Sequence, residues 1–146
     1  MKIKKLHKDA ILPRYSSEGA SGFDLFAYQD IKWEMEDGFW TATIKTGWAF
    51  EVDKEHGMFL LSRSGQGFNH LTHLANCVGL LDWDFSKQCL VKLICLKSTP
   101  PEIKKGQAIC QAVILETPRM FFYVVDKLEN ENMVHDGFGS TDEDKL

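Results

Sequence analysis

Trp40 to Phe50 reads WTATIKTGWAF, and the fold class turns on this stretch. Thr41, Thr43 and Lys45 alternate with Ala42, Ile44 and Thr46, the period of a strand with one wet face and one dry face. Gly47 then breaks the run before a second short apolar stretch. Met58 to Leu61 adds MFLL. Cys89 to Leu96, CLVKLICL, and Ala108 to Leu115, AICQAVIL, are short, partly β-branched and bounded by Lys, Pro or Gly, as strands are. Phe121 to Val125, FFYVV, is a further strand candidate. Ser64 to Leu71 fits one short helical turn. Many short strands set between Gly, Pro, Ser and Asp clusters predict an all-β barrel or jelly roll, since antiparallel sheets remove their open edges by closing or stacking.

The chain has 146 residues, enough for one domain with one core and too few for two ordinary domains with a linker. Hydrophobic residues make up 44% and charged residues 26%, the balance of a soluble globular protein. A net charge of -4 argues against stable nucleic-acid binding through a broad basic surface, which needs many phosphate-neutralising Lys and Arg. A small anion is a different matter, because a few placed donors and a divalent cation suffice to hold it. Cys77, Cys89, Cys95 and Cys110 lie in or beside apolar runs without C-x-x-C spacing and read as buried free thiols, not zinc ligands. The N-terminal MKIKKLHKDA has no apolar stretch of the signal-peptide kind and no segment is long enough to span a bilayer. A cytoplasmic, reducing compartment and no membrane association are therefore expected. Residues 1–128 are expected to form the β domain, and the polar stretch 129–146 an arm or lid.

Five separated segments carry a more specific signal: GASGFDLFA at Gly19 to Ala27, Arg63-Ser64-Gly65, NCVGLLDWDF at Asn76 to Phe85, GQAICQ at Gly106 to Gln111, and GFGST at Gly137 to Thr141. Each alone is weak; their order and spacing together resemble the five motifs of the trimeric dUTPase (deoxyuridine triphosphate pyrophosphatase) family over nearly the whole chain. The resemblance implies a β-clip fold and a homotrimer with sites at subunit interfaces. It also implies magnesium-assisted hydrolysis of dUTP to dUMP and pyrophosphate, which keeps uracil out of DNA and supplies dUMP for dTMP synthesis.

Residue by residue, the resemblance makes Asp82 the base that activates the attacking water, a step typically worth ~100- to ~10,000-fold. Phe85 stands where the family usually has Tyr, keeping the ring that packs on deoxyribose and losing the hydroxyl. Asn76 to Leu81, with Gly79 and Leu81, matches the hairpin that reads uracil through main-chain groups. Arg63, Ser64, Gly65 and Gln111 match phosphate contacts, and Asp24 matches the carboxylate that meets magnesium through water. Phe138, Gly139, Ser140 and Thr141 match the arm whose aromatic stacks on uracil and whose glycines and hydroxyls wrap the phosphates.

The sequence departs from the family at several points. Met133 occupies the place of the arm's Arg, Asp136 and Asp142 replace glycines, Ala108 stands where a basic residue is common, and Lys87 stands where Gly is expected. Lys87, Lys145 and His135 are the candidates to restore lost positive charge, with a solvated surface role the favoured reading for each. Two other readings stay open on sequence alone. One is a pyrophosphatase for dCTP or a modified deoxypyrimidine triphosphate, with Trp83 marking the changed pocket. The other is a nucleotide-binding regulatory protein that keeps the scaffold without turnover.

Overall fold

The computed structural model describes residues 1–129. Its longest element is the strand β5, Phe39–Glu51. Ala42, Ile44 and Thr46 are buried while Thr43 and Lys45 are exposed, as the alternation requires. Thr41 departs from it: it is buried, and its hydroxyl donates to Glu36 Oε2 at 2.9 Å. Gly47 does not end the strand. Its φ of +77° is a conformation that side chains resist, and a Cβ there would lie 2.6 Å from the Ala10 Cβ. The strand bulges at this point, with the register to its neighbour shifting between Lys45 and Ala49, and then continues.

Around β5 the first sheet assembles antiparallel. β1 (Lys2–Lys5) and β4 (Glu34–Glu36) pair with it on one side, and β9 (Gln88–Cys95) pairs on the other and carries β7 (Thr72–Leu74) at its outer edge. The second sheet runs β2 (Arg14–Tyr15), β3 (Phe23–Phe26), β10 (Ala108–Glu116), β6 (His56–Leu61), β8 (Gly79–Leu81), again antiparallel throughout. One short helix, α1 (Ser64–His70), connects β6 to β7 and ends at Leu71 in the left-handed conformation. The all-β expectation holds, including the short helical turn and its place. Leu25, Met58, Leu74, Leu93 and Ile109 are almost fully enclosed in the core. Among the described residues, no helix is long and apolar enough to cross a membrane.

Two expectations need correction. Phe121 to Val125 is not a strand: it pairs with no strand among the described residues, and Phe122 and Val124 are 94% and 102% exposed. High β propensity gives no strand without an edge to bond to and a core to face. Cys77 is exposed, whereas Cys89, Cys95 and Cys110 are buried free thiols as expected. Cys77 falls in the β7–β8 turn, where no face of a sheet covers it.

Candidate functional site: two half-sites in one chain

Asp24 lies on β3, whose Cα register sets it opposite Arg14 on β2 and Gln111 on β10. It is buried, and its Oδ1 lies 3.3 Å from Arg63 Nε. The orientation of these two atoms does not complete a hydrogen bond, so the attraction between them is between charges. Arg63 is the extended residue that precedes α1, and its Nη1 donates to the Ala108 carbonyl at 3.3 Å. Gln66 Nε2 donates to the same carbonyl at 3.1 Å. Together these contacts fasten the start of α1 to β3 and β10 and fix the direction of the Arg63 guanidinium. Breaking a buried ion pair from one side typically costs 3–5 kcal/mol, roughly, because the remaining charge loses its partner.

A cavity of about 550 Å³ opens over this arrangement, lined by Arg14, Asp24, Arg63, Gly65, Gln66 and Ala108 among others. Gly65 has no atom within 4 Å of where a Cβ would sit, which leaves its backbone open to the cavity. The first hydrogen bond of α1 runs from Gly67 N to Arg63 O, so the amides of Ser64 and Gly65 have no acceptor in an earlier turn of the helix. Gln111 is half-buried on β10 and is not among the residues lining the cavity.

The second half-site is the turn between β7 and β8. Cys77 donates its N–H to the Leu74 carbonyl at 3.1 Å and takes a φ of 61°, and Val78 donates to the Asn76 carbonyl at 2.6 Å. The result is a tight reversal that leads into Gly79. A Cβ on Gly79 would lie 3.1 Å from the Leu60 Cβ, so a side chain here would crowd β6 and Leu60 would have to give way. Asn76, Gly79, Leu81 and Phe85 line a cavity of about 210 Å³ with Leu60 behind them. Immediately after Leu81, the Asp82 carbonyl accepts the Phe85 N–H at 3.0 Å, closing a turn that leaves the Asp82 side chain exposed. Phe85 is exposed, at 40%, and lines the cavity.

The two cavities share no lining residue. Asp24, Arg63 and Gly65 meet in one, and Asn76, Gly79, Leu81 and Phe85 meet in the other. Ser64, Asp82 and Gln111 line neither. Phe138, Gly139, Ser140, Thr141, and with them Met133, His135, Asp136, Asp142 and Lys145, lie outside the described residues. Gln66 and Arg14 belong to the first cavity and were not marked by the motifs; a buried Gln one place after Arg-Ser-Gly is the signal for the former.

A dUTPase family model matches residues 8–142. The chain belongs to the dUTPase family. It is 34% identical over 141 residues to a deoxyuridine 5'-triphosphate nucleotidohydrolase of Nautilia profundicola, covering 97% of each chain. It is 29% identical to the enzyme of that name from Helicobacter pylori, covering 97% of this chain and 95% of the relative. Among solved structures, a variant dUTPase of phage 80alpha superposes with a TM-score of 0.76 at 20% identity, covering 95% of this chain and 96% of that one. A dUTPase variant of Staphylococcus aureus phage phi11, whose structure concerns the coordination of a structural Mg(II) ion, gives 0.72 at 18% identity over 88% of this chain and 97% of that one. These dUTPases share the fold of the chain.

Among the described residues there is no cluster of three or more His, Cys, Asp or Glu that could hold a metal ion. Asp24 lines the first cavity, while its buried Oδ1, which accepts no hydrogen bond, faces Arg63. A single carboxylate does not make an all-protein magnesium cage, but it suits a cation whose remaining oxygens come from water and a bound triphosphate.

Proposed function

We infer that the chain hydrolyses dUTP to dUMP and pyrophosphate, with magnesium, at sites that a homotrimer completes between its subunits. The observation that carries this reading is the 76–85 hairpin: a left-handed turn, a glycine pressed against Leu60 and a cavity lined by Phe85 lead straight into an exposed carboxylate. A backbone held this tightly presents fixed main-chain donors and acceptors to the edge of a base. A base with the wrong edge would leave some of them buried and unpaired. Phe85 packs on the sugar and leaves no space for a 2'-hydroxyl.

In this reading Asp82 takes a proton from water as the water oxygen attacks the α-phosphorus. The bond from that phosphorus to the oxygen bridging to the β-phosphate breaks, and the oxygen leaves with pyrophosphate. Arg63, Ser64, Gly65 and Gln111 hold the phosphates, with Asp24 fixing Arg63 and facing magnesium through water. Bound magnesium supplies charge neutralisation on the phosphates. The arm, residues 129–146, brings Phe138 onto uracil and Gly139, Ser140 and Thr141 onto the phosphates, while residues 1–128 form the domain it closes on.

The separation of the two cavities supports assembly across an interface, since the base-reading hairpin and the phosphate residues sit apart in one chain. The exposed apolar run from Met120 to Val125 supports it too, because a surface of this kind is normally covered by a partner. Three buried thiols without a disulfide suit a cytoplasmic, reducing setting. Pyrophosphate release with magnesium from dUTP beside dCTP, dTTP and UTP tests the reading. Selective turnover of dUTP is expected; a preference for dCTP would move the chain to a sister specificity, and turnover of none would make it a nucleotide-binding protein.

A further inference from the structure

We propose that Arg14 is the free cation that receives the polyphosphate end of the nucleotide in the first cavity. The proposal rests on the dUTP-hydrolase reading and adds a residue to its site. Arg14, Asp24, Phe26 and Ala108 share one face of the second sheet, because Arg14 is the Cα partner of Asp24 and Ala108 that of Phe26. All four line the same cavity. The Arg14 guanidinium carbon lies 4.8 Å from the centre of the buried Phe26 ring. Next to Phe26 in the sheet stands Ala108, whose side chain is a single methyl group on the same cavity.

This geometry does two things. The guanidinium carbon sits over the Phe26 ring, and among the described residues no side-chain hydrogen bond or ion pair takes up its N–H donors, which are left for an anion. Contact with the ring also restricts a long side chain in advance, so less entropy is lost on binding. Among the described residues Arg14 is moreover the cavity's Arg or Lys without an ion-pair partner. Arg63 is paired with Asp24, and Glu102 on the rim is paired with Lys104 at 3.3 Å. His70 also lines the cavity. Among the described residues Arg14 makes no ion pair. The second cavity, where the nucleoside is read, does not include it.

The test compares full-length wild type, Arg14→Gln and Arg14→Lys by calorimetric binding of inorganic pyrophosphate and of deoxyuridine, together with kcat and KM for dUTP. Arg14→Gln is expected to weaken pyrophosphate binding and raise the KM for dUTP by roughly ten- to a hundred-fold, the usual loss for an Arg–phosphate contact, with deoxyuridine affinity unchanged. Arg14→Lys is expected to restore part of the loss. Unchanged pyrophosphate affinity in Arg14→Gln would overturn the assignment, and so would equal losses for pyrophosphate and deoxyuridine, the signature of a structural defect. Pyrophosphate binding is read directly, so the assignment stands or falls on it even if wild type turns over no dUTP, an outcome that sinks the broader reading.

Discussion

Gly79 and Asp82 stand three residues apart and make different demands on the chain. Gly79 is favoured by space: Leu60 occupies the volume behind it, so Gly79→Val is expected to push the hairpin off β6 and weaken deoxyuridine binding at least tenfold, measurable by titration. Asp82 is required by the proposed chemistry alone: it is exposed, and among the described residues no side-chain hydrogen bond or ion pair gives it a structural role. Such residues are legible in sequence only through their motif, and the hairpin residues Asn76, Gly79, Leu81 and Phe85 were indeed marked that way and share one cavity. Arg14 and Gln66 were not. Arg14 reaches the cavity through a cross-strand register that connects position 14 to 24 and 26 to 108, a pairing no local pattern reveals. The place of Met133 in the arm rests on the motif as well: Met133→Arg is expected to lower the KM for dUTP, and no change would mean that another cation serves the phosphates.

Among elements, the strands that read most clearly were those whose apolar runs face the core, β5, β6, β9 and β10. β1 was missed because it is KIKK and exposed along its length; an edge strand rich in Lys repels further pairing and carries no apolar alternation. The FFYVV segment erred in the opposite sense, having the composition of a strand and joining no edge among the described residues. Gly47 shows how a turn signal and a bulge signal coincide: glycine breaks the alternation either way, and only tertiary packing against Ala10 decides that the strand continues. Gly47→Ala is expected to cost roughly 1–3 kcal/mol from backbone strain, with crowding against Ala10 adding to it, and to lower the melting temperature accordingly. Leu93→Ala on β9, fully buried, is expected to cost about 2–5 kcal/mol by the same measurement.

For the whole molecule, two buried thiols set an alkaline limit. Burial pushes the Cys89 thiol up from 9.0 to about 12, against a smaller lowering by a hydrogen bond with Thr46, and burial also pushes Cys110 up. The neutral thiols are favoured in the fold, so their contribution is complete below pH 9 and is lost as pH rises towards 12, by up to about 1.4 kcal/mol per pH unit for each thiol. Melting temperature measured against pH should fall above pH 9, and Cys89→Ala should make that fall less steep. The divided site makes its own prediction. If the proposed trimer forms, mixing Asp82→Asn with Arg63→Ala chains, each inactive alone, is expected to restore turnover, since some mixed assemblies would set one intact hairpin against one intact phosphate cavity. A lack of any recovery despite verified mixing would place both halves in one subunit.

The most direct measurement is pyrophosphate release from dUTP, with magnesium, by wild type and by Asp82→Asn, alongside the affinity of each for a nonhydrolysable dUTP analogue. Turnover by wild type, its loss in Asp82→Asn and nearly equal affinities are the predicted result. Equal turnover by the two proteins, or none by wild type, would contradict the account.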